Sequence, residues 1–70
     1  MDKETMIKKY KMYLGYIQKE KELAEKAAGD FMDIAPNYTQ QILSKVERIK
    51  AKITVAEEVL IDLGVPASEW

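Results

Sequence analysis

Seventy residues carrying 11 basic and 12 acidic side chains, with a net charge of −1, bound one small domain without the basic excess of a nucleic-acid coat protein. Cysteine and histidine are both absent, which removes disulfides, thiolate ligands, the commonest metal ligand and the commonest general base. A domain of this size buries only roughly 60% of its unfolded surface, so association is the means of stabilisation left to it.

The first segment opens on helix-start chemistry. Asp2, Glu4 and Thr5 place acceptors and negative charge where a helix N-terminus favours them, with Asp2 or Thr5 as the cap. Ile7, Tyr10, Leu14, Ile17, Ala24, Ala28 and Phe31 then recur at helical spacing, interrupted by Lys21. Gly15 lies inside this pattern and costs roughly 1 kcal/mol against alanine. Gly29-Asp30 offers a stop and a new cap, but Phe31 continues the seam and Ile34 follows one turn later. One helix over 5–34 is therefore expected, with a break at Gly29 as the competing reading.

Ala35 to Gln40 is expected to be the connection. Pro36 pushes Ala35 away from helical geometry. Asn37 and Gln40 have the spacing of a capping box, while Pro36 at a first helical position is the alternative start.

The second helix, expected over 38–63, carries the strongest pattern in the chain. Ile42, Val46, Ile49, Ile53, Ala56, Leu60 and Leu63 alternate steps of four and three, a heptad seam that requires a covering seam. Its end is well marked: Gly64 suits the left-handed conformation, Val65 can fold back onto Leu60, and Pro66 forbids continuation. The tail ending at Trp70 is open between docking and fraying.

The two seams fit one another as an antiparallel pair. Matching Ile7 with Leu63 brings Tyr10 to Leu60, Leu14 to Ala56, Ile17 to Ile53, Lys21 to Ile49, Ala24 to Val46 and Ala28 to Ile42, and centres the turn on Ala35. The same register sets Lys8, Lys9 and Lys11 near Glu57, Glu58 and Asp62. It sets Glu20, Glu22 and Glu25 near Lys45, Arg48, Lys50 and Lys52. Lys21 is the misfit, read as laying its stem along Ile49 while its ammonium reaches water or a glutamate, with a polar seam residue that fixes oligomeric state as the competing reading. The expected fold is an all-α antiparallel two-helix hairpin, one domain over 1–70, dimerising into a four-helix bundle. In outline this resembles Rop-type helical hairpins, a likeness of shape that transfers no function.

Pairing the seams leaves apolar residues over. Met6, Tyr13, Tyr16, Leu23, Ala27 and Ile34 on the first helix, and Val55 and Val59 on the second, fall near the g and c positions of the heptad. The g edges of an antiparallel hairpin share one side, so these residues form the candidate interface, for a second copy or for a partner protein. The opposite edge is mostly polar, with Met32, Leu43 and Ile61 as exceptions.

Catalytic and cofactor signatures are missing. The acidic residues lie at exposed positions, Ser44 and Ser68 have no candidate base, and no glycine-rich phosphate loop occurs. No cofactor, metal or small-molecule substrate is expected. The second-ranked reading is nucleic-acid binding, because Lys8, Lys9, Lys11 and Lys19 interleave with Tyr10, Tyr13 and Tyr16. No apolar run suits a bilayer span and the charged start does not suit a signal peptide, so a cytoplasmic protein is expected. The expected function is non-enzymatic protein association, as a regulator, inhibitor or adaptor. Accessory proteins of phages and other mobile elements fit that description.

Overall fold

The computed structural model describes residues 2–70. Helix α1 spans Lys3–Phe31, helix α2 spans Pro36–Asp62, and a 3-10 turn spans Ala67–Glu69. The two helices pack against one another as a hairpin measuring 48 × 22 × 14 Å, one helix thick in its shortest dimension.

Of the two candidate caps, Asp2 is the one used. Its backbone is extended, and its carboxylate accepts the Thr5 backbone N–H at 2.7 Å. That bond stabilises the charged form and holds the Asp2 carboxyl below its usual pKa. The helix runs through Gly29 without a break. It ends at Phe31, whose carbonyl accepts the N–H groups of Ile34 and Ala35.

Of the two starts weighed for α2, the capping box and Pro36 at the first helical position, the second is the one formed. Pro36 is the first helical residue and Ala35 the N-cap, with no side-chain capping bond. Proline's fixed φ suits this position and its missing N–H would have found no helical partner there, so the Asn37/Gln40 capping box is not needed. The connection is consequently Met32 to Ala35, not Ala35 to Gln40. Thr39 extends the seam of α2 by one step and is buried. Its backbone N–H donates to the Ala35 carbonyl at 2.9 Å, but its buried hydroxyl has no partner.

At the other end of α2 the chain closes as expected. Gly64 adopts φ +86°, its N–H donates to Ile61 O, and the Val65 N–H reaches back to Leu60 O, each at 2.9 Å. This is a Schellman ending, and it turns Val65 into the core beside Leu60. Trp70 docks on the same cluster and donates its indole N–H to the Val65 carbonyl at 3.2 Å.

The main core joins Leu14, Ile17, Ile49, Ala56, Leu60 and Val65, with Ile7, Tyr10, Ile53 and Trp70 packed around it. Toward the turn the buried residues are Ala28, Thr39, Ile42 and Val46. Phe31, expected on the buried seam, lies half outside and stacks edge-on against Tyr38 at 5.3 Å. Because the turn is centred near Asp33-Ile34, cross-helix neighbours are displaced by roughly one helical turn from the expected pairing. Tyr10, matched with Leu60 in the expected register, shares a groove with Ala56, and the Lys3 ammonium lies beside Gly64, whereas Glu20 meets Lys45 at 3.7 Å as the expected charge pairing has it.

Lys21 behaves as expected, half-buried with its ammonium 3.6 Å from Glu25. Among the described residues, Glu20–Lys45 is the cross-helix ion pair; Lys8, Lys9 and Lys11 close none with Glu57, Glu58 or Asp62. With both partners half-exposed, it contributes roughly 0–1 kcal/mol.

Candidate protein interface

The heptad places g and c residues of both helices along one flank of the hairpin. Two observations establish that flank. The Glu20–Lys45 pair joins a g position on α1 to a g position on α2. Near the chain termini, Tyr10, Tyr13, Ala51, Lys52, Val55 and Ala56 line a shallow groove of about 400 Å³. Tyr13 is 41% exposed and Val55 58% exposed, so each presents a large apolar area at this groove.

The same flank changes character toward the turn. Lys52 also borders a second concavity, of about 600 Å³, with Glu20, Tyr38, Gln41, Lys45 and Arg48 along its walls. Ile42 and Ile49 lie at its base. Glu20 is the acidic residue among three basic ones here, and it pairs with Lys45. Arg48 and Lys52 close no ion pair among the described residues. The flank thus has an apolar half and a basic half, joined at Lys52.

The eight expected interface residues are distributed unevenly. Tyr13 and Val55 meet in one groove. Met6, Ala27 and Val59 are half-buried. Tyr16 lies further round α1, beside Met12, Gly15 and Lys19. Leu23 projects from α1, and Ile34, at 79% exposure, belongs to the turn.

Other exposed apolar residues escaped the sequence reading. Met12, Phe31 and Tyr38 join the anticipated exceptions Met32, Leu43 and Ile61. Tyr38 was findable: once Pro36 starts the helix, it falls on a g position of α2. The basic set Lys45, Arg48 and Lys52 was visible but read only as counterions for α1.

The lysines of α1 do not form one stripe. Lys8, Lys9, Lys11 and Lys19 are all exposed. Lys9 borders Tyr10 and Tyr13, whereas Lys19 borders Met12 and Tyr16. Among the described residues no group of three or more acidic side chains gathers to hold a metal ion, and no helix is long and apolar enough to cross a membrane. No family model matches the chain, and comparisons with curated proteins and with solved structures likewise give no match.

Proposed function

We propose that this protein acts by protein association, through the flank that carries Tyr13 and Val55, as a small regulator, inhibitor or adaptor. A hairpin 14 Å thick has no second layer to cover its outer surfaces. The observation that carries the reading is the size of what stays uncovered. Eleven large apolar side chains among the described residues are at least 39% exposed. Of these, Tyr13 and Val55 are gathered in one groove on the flank, and contiguous exposed apolar surface of this kind marks binding sites. The reading requires no catalysis, cofactor or small-molecule substrate.

The test is the mass of the protein in solution across concentration, beside the double variant Tyr13→Asp/Val55→Asp. The expected result is an associated wild type and a dissociated variant with unchanged helix content by circular dichroism. A wild type that stays monomeric at high micromolar concentration removes self-association and leaves only a different protein as partner. The position of Lys9 against the Tyr10–Tyr13 groove supports nucleic-acid binding as the second reading. That reading predicts salt-dependent binding to RNA or DNA, lost in Lys8→Glu/Lys9→Glu.

A further inference from the structure

Building on this association reading, we propose that the partner is a second copy of the chain, stacked with its turn at the same end. In that arrangement α1 of each copy lies over α2 of the other.

Two closed stackings bring this flank onto its own copy, and both are two-fold symmetric. In one, the two-fold runs across the helices. The turns then lie at opposite ends, and α2 lies over α2 of the partner in antiparallel fashion. In the other, the two-fold runs along the helices and the turns coincide.

The basic half of the flank decides between them. Lys45, Arg48 and Lys52 cluster around Ile49, the midpoint of the helix Pro36–Asp62. With turns opposed and the two hairpins overlapped along their full length, which buries the most surface, α2 meets its partner about that midpoint. Lys45 then faces the partner's Lys52, and Arg48 lies near the partner's Arg48. Three basic side chains from each copy crowd one axis, and juxtaposed like charges oppose such an interface.

With turns together, the outcome reverses. Residues at one level within a hairpin are then the residues that meet across the interface. Glu20 shares a level with Lys45 and Arg48, so Arg48 comes over the partner's Glu20. Tyr13 shares a level with Lys52 and Val55, so Tyr13 comes over the partner's Val55. Apolar surface meets apolar surface, and the unpaired guanidinium meets a carboxylate. Each contact occurs twice.

The chain contains no cysteine, so Asp33→Cys in the exposed turn gives a single spin-labelling site. Dipolar electron paramagnetic resonance on the labelled protein is expected to show the two turns about one helix layer apart, roughly 10 Å plus the label tethers. A separation near the 48 Å length of the hairpin overturns the arrangement while leaving self-association intact. The absence of any dipolar coupling, with a monomeric mass, overturns the second copy as partner.

A charge exchange tests the pairing itself. Arg48→Glu is expected to weaken self-association at least tenfold with helix content unchanged. Adding Glu20→Arg and Lys45→Glu, which inverts the Glu20–Lys45 pair as well, is expected to restore most of the loss. A triple variant as weak as the single one overturns the Arg48–Glu20 contact.

Discussion

The two ends of the hairpin are built differently. At the terminal end, α1 is capped by Asp2, α2 closes in a Schellman ending, and Trp70 covers the largest buried cluster. At the turn end, α2 begins on an uncapped Ala35, small Ala28 and polar Thr39 occupy the interior, and Phe31 and Tyr38 stack outside it. The covalent turn holds the helices together where side chains do least. The open end, with no covalent link, is held by packing. Loop closure and core packing are therefore divided between opposite ends.

The largest expected effect lies in the terminal core. Leu60 is fully buried, and Leu60→Ala is expected to cost roughly 2–5 kcal/mol, a large fraction of the stability of a domain this small. Ile42→Ala, in the buried interior at the turn end of α2, serves as the reference in urea unfolding. Equal losses at the two sites would erase the contrast between the ends.

A smaller effect of opposite sign is expected at the turn end. The buried Thr39 hydroxyl makes no hydrogen bond, so its desolvation goes uncompensated. Thr39→Val keeps the shape and removes the polar group, and should stabilise by about 1 kcal/mol. In thermal unfolding that corresponds to a midpoint rise of roughly 4–8 °C. A fall in midpoint would reveal a partner for the hydroxyl and make the turn end better satisfied than described.

The smallest effect concerns the Asp2 cap. The hydrogen bond from the Thr5 backbone N–H lowers the folded-state pKa of this carboxyl, so folding is favoured when it is charged. Its contribution is present above the unfolded value of about 3.8 and is lost as pH falls through the folded value. Wild type should therefore exceed Asp2→Ala in stability at neutral pH, with the gap closing in acid. A gap independent of pH would show that the charge contributes nothing to the terminal end.

What was legible in the sequence follows the same division. The α2 seam and its Gly64-Val65-Pro66 ending are written in local spacing, and both formed as read. The turn was misplaced because Pro36 fits two local readings, before a helix and within its first turn. Matching Ile7 with Leu63 centres the turn on Ala35, whereas the connection formed is Met32 to Ala35, so the cross-helix pairing differs by about one turn. On the flank, Tyr13 and Val55 were identifiable from their heptad positions. The gathering of Lys45, Arg48 and Lys52 into one concavity was not legible, because these residues were read as a group only as counterions for Glu20, Glu22 and Glu25. Trp70 was undecidable from local pattern, since its docking depends on a carbonyl exposed only after Gly64 reverses the chain.

Trp70 is the chain's one tryptophan, and it sits on the segment that folds back over the core, not on either helix. Its fluorescence therefore monitors a clasp, whereas far-ultraviolet circular dichroism monitors the helices. If the tail releases before the helices melt, the fluorescence transition will precede the dichroism transition on heating. Coincident transitions would show that clasp and hairpin unfold as one cooperative unit.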